Sequence, residues 1–539
     1  MSQIPAVIPD HYYRHAELTD FLQQAAAAAP EQMRLHNLCT TAEGREEWLA
    51  EITDFSTGDP ADKPGYLVQA NLHAPEVSGT TASLVLIRRL LTDPAQAELL
   101  QRVVFYIIPR LNPDGAEYAL VTGGQIRSKF ELLPCRNGLL PGDLNGDGRV
   151  LSMRWPDPYG PFRCDDLDPR IMVHRRPGDS GPFYQVFPEG QIHDYDGGPV
   201  QWATRGFDFN RNWGYNWQPE HVQGGAGDYA FSNPEMKAVA DWVYSHPNIF
   251  GMLGFHNGCN SVLRPSATTA DSDLPPADLQ AFKELGEIGA RLTGFGLRAV
   301  RDYHTDGAPP ISLKGHFTDW TYFSLGLLAY EIELGNSYNS AGISTEEYFA
   351  ADDHTREVLF MRRLLHWLDQ LGGEPRFHDW TPVAHPQLGE VEVGGLTCTD
   401  WACPLAGELL EIGERCADFI FTHADRHPRL EIGQAAVQQV EGQIYRVTAT
   451  VANTGALPTN ITLHGLGLAH RPPVTVRLEG SAGVEVLSRQ ALTELPQLSR
   501  LGGHQALEWF VRVAQPGSRL TITARHPRAL DAEVVLRIE

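Results

Sequence analysis

Cysteine is scarce and poorly placed for cross-linking. The 539-residue chain carries seven, at Cys39, Cys135, Cys164, Cys259, Cys398, Cys403 and Cys416. An odd, scattered set excludes a disulfide framework. Cys398 and Cys403 lie close together but have no partners to complete a zinc knuckle. No apolar run approaches the roughly 18 residues of a membrane span. The opening stretch, "MSQIPAVIPDHYYRHAELTDFL", lacks both the basic and the apolar parts of a secretory signal. Positive charge is in deficit: 43 Lys and Arg stand against 67 Asp and Glu, for a formal net charge of −24. Such a surface disfavours nucleic acid and anionic membrane as partners and suits a soluble protein. The expectation is a cytoplasmic protein that engages neither. A homo-oligomer is left open.

Two regions follow different patterns. From Tyr13 to about Arg426, apolar strand-like runs alternate with helical periodicity, which implies an α/β fold with a mixed β-sheet flanked by helices. "RVVFYIIPRL" and "IFGMLGFH" are strands. "NPEMKAVADWVYSHP" is a helix that Asn233 can cap. "STEEYFAADDHTREVLFMRRLLHWLDQL" reads as one long helix, with Ser344 and Glu347 forming a capping box. After about Pro428, segments such as "QIYRVTATVANTG", "HQALEWFVRV" and "RLTITARH" tend to alternate with period two between turns. That pattern predicts a smaller all-β, immunoglobulin-like sandwich. The expected division is an α/β domain at 1–375, a connector packed on it at 376–427, and the sandwich at 428–539.

The chemistry-bearing residues cluster where strands end. "YLVQANLHAPEVSG" runs from an apolar strand into His73 and Glu76, and a loop leaving the carboxyl end of a strand is where open α/β sheets place ligand sites. A His nitrogen and a Glu oxygen three residues apart in such a turn can converge on one metal ion, and zinc accepts both. "IFGMLGFHNG" repeats the arrangement with His256. Three protein ligands with a fourth position left for water describe a catalytic rather than a structural zinc site. "LLAYEIELG" sets Glu331 and Glu333 in an apolar strand; one such carboxylate can serve as a general base. In "GFDFNRNW", Arg211 follows Asn210 and suits a bidentate grip on a carboxylate.

Taken together, the His-x-x-Glu pair, "IIPRLNPDG", "DFNRNW", "FHNG" and "DWTYFSLGLLAYEIEL" resemble the zinc metallocarboxypeptidases of the carboxypeptidase A type, over roughly residues 10–370. The resemblance implies one Zn2+ per chain held by His73, Glu76 and His256, with Glu333 as general base. It also implies Asn210 and Arg211 as the grip on the terminal carboxylate of a peptide substrate with a free C-terminus. Arg127, in "GQIRSKF", is expected to polarise the scissile carbonyl, with Arg154 as the alternative. The family's mobile tyrosine falls on Ile311 by spacing, and Tyr303 is the nearest upstream replacement. Thr318 is expected to line the side-chain pocket. Glu331, two residues before Glu333 and so on the same strand face, is expected to project into that pocket and favour a basic side chain, against the alternative of a salt-bridged structural carboxylate.

One insertion stands apart. In "LPGDLNGDGRVLSMRWPDP", Asp143, Asn145 and Asp147 copy the first half of a calcium loop, but its closing position holds Arg154. A Ca2+ site and an ion-free Asx–Gly turn are both open. His174, His193 and His304 are expected to be ordinary surface or core histidines. The rival functions are an amidohydrolase that deacylates small N-acyl amino acids and a non-catalytic peptide- or glycan-binding relative.

Overall fold

The apolar runs of the first region become the middle strands of a large sheet. The computed structural model describes residues 3–303, 312–469, 471–488 and 491–538. Its main strands are β1 (Met33–Thr40), β2 (Glu46–Ile52), β3 (Gly65–Ala70), β4 (Val104–Ile108), β5 (Ile249–His256), β6 (Ser261–Arg264), β7 (Gly296–Ala299) and β8 (Leu328–Glu333). They lie in the order β1-β2-β4-β3-β5-β8-β6-β7. The four central strands, β4, β3, β5 and β8, are mutually parallel, while β2 joins β4 and β6 joins β8 antiparallel. Every residue of those four is buried, which is why they read as apolar runs without alternation.

Helices α1 (Ser78–Thr92), α2 (Pro276–Thr293) and α3 (Leu409–Ala424) complete the core, with α3 packed on both others. Gly413 permits the close α1–α3 crossing: a Cβ there would lie 3.1 Å from Val85 Cβ. Helix α3 belongs to the segment expected to be a connector. Its Leu409, Ile412, Cys416, Phe419 and Ile420 share the main-sheet core, so the segment is an integral wall of that core. Its earlier part adds strands Phe377–His385 and Gly389–Leu396 to a second sheet, built otherwise from the insertion at Ser152–Pro188.

Two local expectations change. The long helix over 344–371 is broken: Thr345–Ala350 forms one short helix, and helical structure resumes beyond Asp352 with a π-helical stretch at Thr355–Phe360. Asp352 causes the restart, because its Oδ1 accepts the Thr355 N–H at 2.8 Å and so caps a new N-terminus. Ser344 caps the first piece as expected, through the Glu347 N–H. Asn233 does not cap with its side chain; its amide donates to Asn212 Oδ1 instead.

The C-terminal region is the expected sandwich, two four-stranded antiparallel sheets around Val447, Val451, Val476, Leu478, Trp509 and Ile522. It grips the first domain through one buried carboxylate. Asp278 on α2 accepts N–H bonds from Leu463 and His464 of the sandwich and the hydroxyl proton of Tyr322 at 2.8 Å. Thr462 adds a 2.8 Å bond to the Gly326 carbonyl. Residues 320–327 lead directly into β8, so the sandwich braces the approach to that strand. Asp278→Ala leaves three donors unpaired at once, the Tyr322 hydroxyl among them fully buried, and is expected to destabilise the chain by about 1–3 kcal/mol. The check is its thermal midpoint beside wild type. Among the described residues no helix is long and apolar enough to cross a membrane.

Candidate active site

Three adjacent parallel strands deliver the key residues to one edge. His73 follows β3, His256 ends β5 and Glu333 ends β8, with His256 and Glu333 direct register partners. His73 Nδ1 lies 2.9 Å from Glu76 Oε1, His256 Nδ1 3.0 Å from Glu76 Oε2, and the two Nδ1 atoms are 3.1 Å apart. All three side chains are buried. Two imidazole nitrogens facing each other across a carboxylate make poor mutual partners unless a cation sits among them. Ligand bonds of ~2.0–2.2 Å at tetrahedral angles place neighbouring ligand atoms about 3.3–3.6 Å apart, so the observed 2.9–3.1 Å is a few tenths tighter than a zinc ion would set.

The loop that carries His73 is held by the "LNPDG" stretch. Asn112 Nδ2 donates to the carbonyls of Leu72 at 3.2 Å and Ser128 at 2.7 Å, while the Ala74 N–H donates to the Arg127 carbonyl at 2.7 Å. One buried asparagine thereby ties the metal loop to the segment bearing Arg127. That guanidinium, half exposed, reaches Glu76 Oε1 at 2.9 Å and Asp208 Oδ2 at 3.2 Å. Arg154 is elsewhere: it is buried in the second sheet, paired with Glu392 and stacked 4.3 Å over Trp380. Arg127 is the arginine at the cleft.

A carboxylate also lies beside the far nitrogen of each histidine. Asp208 Oδ1 lies 3.1 Å from His73 Nε2, and Glu331 Oε1 lies 3.2 Å from His256 Nε2. A carboxylate accepting the distal N–H fixes the tautomer that presents Nδ1 to the ion. Sequence reasoning passed over Asp208, although it stands two residues before Asn210 in the quoted "DFNRN". Glu331 is not a free pocket floor. Asn210 Nδ2 donates to its Oε1 at 2.9 Å, and His316 approaches its Oε2 at 3.6 Å. Room for it comes from Gly254, opposite in register, where a Cβ would meet Glu331 Cγ at 3.3 Å. Glu331 thus borders the cavity, as the pocket reading expects, and is also held by ion-pair and hydrogen-bond partners, as the structural alternative expects.

Burial, together with the charges of Glu76 and Glu331, pushes the Glu333 carboxyl up to about 8 against the opposing pull of His256 and Arg127. Its Oε2 is buried without a hydrogen-bond partner. Glu331 is the reverse: burial would raise it, but His316, His256 and the Asn210 amide hold it down to about 2. Glu76 and Asp208 are likewise kept well below the carboxylate range in spite of burial. His73 and His256 act on the first, and Arg211, Arg127 and His73 on the second.

Arg211 and Asn210 border the same cavity, of about 320 Å³, as the histidines and Glu333. The Asn210 amide is largely spent on Glu331, His316 and the Phe317 N–H. Arg211 donates through Nη1 to the Asn210 carbonyl and stays 3.8 Å from Asp208. Two motifs lock this arm: Trp213 stacks on Trp320 with centroids 4.6 Å apart, and Asp319 is anchored by Ser266, Ala267 and Thr268. Thr318 is fully buried, with its hydroxyl 3.0 Å from His316 Nδ1. His316, not Thr318, reaches the cavity wall. Tyr303 also lines the cavity and accepts the Cys259 N–H at 2.8 Å. Ile311 and His304 lie outside the described residues. His174 is exposed against Glu357, and His193 is half exposed beside Asp194.

The insertion loop closes on itself. Asp143 accepts the N–H groups of Gly146 and Gly148, Asn145 that of Asp147, and Asp147 that of Arg149. These are Asx turns. Asp157, further along the insertion, accepts from the Gln185 amide and the Tyr159 N–H.

A family model described as zinc carboxypeptidase matches residues 18–354, and one described as a domain of unknown function matches residues 429–537. Carboxypeptidase D of Drosophila melanogaster is 23% identical over 371 residues, which is 65% of this chain and 22% of that protein. The zinc carboxypeptidase of Saccharothrix mutabilis subsp. capreolus is 29% identical over 116 residues, 21% of this chain and 26% of its own length. The aligned segments thus span about a quarter or less of these relatives. Among solved structures, carboxypeptidase A from Helicoverpa armigera is similar with a TM-score of 0.43 and 17% identity, covering 77% of this chain and 75% of that one.

Proposed function

The chain belongs to the zinc carboxypeptidase family, and from that premise we propose that it removes the last residue from peptides with a free C-terminus. The observation that carries this reading is the convergence on one cavity of His73, Glu76 and His256 with Glu333 and Arg211. Zinc held by that triad would acidify a water and polarise a carbonyl. Glu333, buried beside it with an unpartnered oxygen, takes a proton from the attacking water and returns it to the leaving amine. Arg211 grips the terminal carboxylate and so selects which bond is last. Arg127, held between Glu76 and Asp208, faces the negative charge that develops on the carbonyl oxygen. Asp208 and Glu331 orient the two imidazoles, and Asn210 orients Glu331.

A blocked dipeptide and an N-acyl amino acid, each assayed before and after chelation and zinc repletion, test the proposal. The expected result is release of the C-terminal residue from the dipeptide, loss on chelation and recovery with zinc. Hydrolysis of the N-acyl amino acid alone would assign the deacylase instead.

A further inference from the structure

A second cavity opens beside the catalytic one. It has a volume of about 290 Å³ and is walled by Ile171, Val186, Met361, Leu365, Phe377 and Trp380. None of these belongs to the motifs that resemble the peptidase family; they come from the insertion, the broken helix and the segment after residue 375. The two charged groups on the wall each have a partner. Arg170 pairs with Asp168 and Asp369, and Glu357 accepts the His174 backbone N–H. Apart from these two the cavity offers a ligand mainly apolar surface.

Its position gives it a direction. Trp401, nearly half exposed, lines both this cavity and the catalytic one. Gln125, on the opposite wall, is two residues before Arg127. The short helix of Trp401 sits by the metal loop, since Cys403 Sγ donates to the Pro75 carbonyl at 3.1 Å and the Cys398 N–H to the Gly123 carbonyl at 2.8 Å. Arg211 lines the catalytic cavity, backed by Gly315, where a Cβ would meet the Arg211 carbonyl oxygen at 2.2 Å. Among the described residues Trp401 alone lines both cavities, so a peptide gripped by Arg211 that extends into the second cavity passes Trp401.

We propose that this cavity is a subsite for a bulky apolar side chain on the acyl side of the scissile bond, within two residues of it. The proposal rests on the carboxypeptidase reading for its polarity. Burial of one large aliphatic or aromatic side chain there is worth about 10- to 100-fold in kcat/KM over glycine.

The test uses two series of blocked peptides ending in phenylalanine, acetyl-X-Phe and acetyl-X-Ala-Phe, with X as Gly, Leu or Trp. The expected result is a preference of that size for Leu or Trp at one of the two positions. Ser152→Phe, which fills the cavity, and Met361→Lys, which charges its wall, should each erase the preference and leave the X = Gly turnover unchanged. Cleavage of the glycine peptides with no preference for large X overturns the subsite and leaves the peptidase reading intact. So does a preference that survives in both variants. If no peptide is cleaved, the peptidase reading fails, and calorimetric titration of the same peptides into Glu333→Gln decides the subsite separately. Tighter binding of the Leu or Trp peptides supports it; equal or absent binding overturns it.

Discussion

Glu333→Gln is expected to lower kcat by about 10²–10⁴-fold, the range that a positioned general acid–base group supplies. Metal content, thermal midpoint and KM should stay near those of wild type. The geometry explains why the effect falls on chemistry alone. Glu333 is not one of the three residues that crowd around the candidate ion, and its Oε2 has no hydrogen bond to lose. Glutamine fills the same volume and cannot accept the water's proton. Its amide is neutral, the state that the neighbouring charges of Glu76 and Glu331 favour, so no new strain is introduced. Steady-state kinetics on a blocked dipeptide, run beside metal analysis of both proteins, gives the answer. Unchanged kcat would assign the base to another group.

Arg211→Met is expected to act differently, on recognition of the chain end. Removing one member of a desolvated ion pair costs about 2–5 kcal/mol, or roughly 30- to 4,000-fold in kcat/KM. The loss should be confined to substrates with a free carboxylate. A C-terminal amide has no charge for Arg211 to meet, so the variant should treat acid and amide alike. The side chain is only 11% exposed, and its backbone is pinned by Trp213 on Trp320, which limits the change to the guanidinium itself. Retained preference for the free acid would place the carboxylate grip elsewhere.

Much of this site could be read from sequence because its residues stand at the ends of apolar runs. A strand buried on both faces cannot accommodate His73, His256 or Glu333 in its interior, so each appears where the strand stops. The supporting groups were less visible. Asp208 is an ordinary loop aspartate in sequence; Arg211 stands three residues on, but the partners His73 and Arg127 come from two other segments of the chain. Glu331 was placed on the correct strand face by periodicity, but periodicity says nothing of what lies across. Gly254 beside it and His256, His316 and Asn210 around it hold that carboxylate in place at the cavity wall.

The fold divides in the same way. The central strands and the sandwich follow from period and composition. The role of 376–427 does not, because Gly, Pro and His at its start read as a connector while α3 at its end carries a full helical face into the core. The break at Asp352 is another case. Helical periodicity continues across it, and only the capping bond to Thr355 reveals that a new helix has begun.

The most direct measurement is the zinc content of the purified chain, taken together with hydrolysis of one blocked dipeptide supplied as its free acid and as its amide. The account requires about one zinc per chain and release of the C-terminal residue from the acid in strong preference to the amide. A chain that binds zinc yet cleaves both forms equally, or neither, would contradict it.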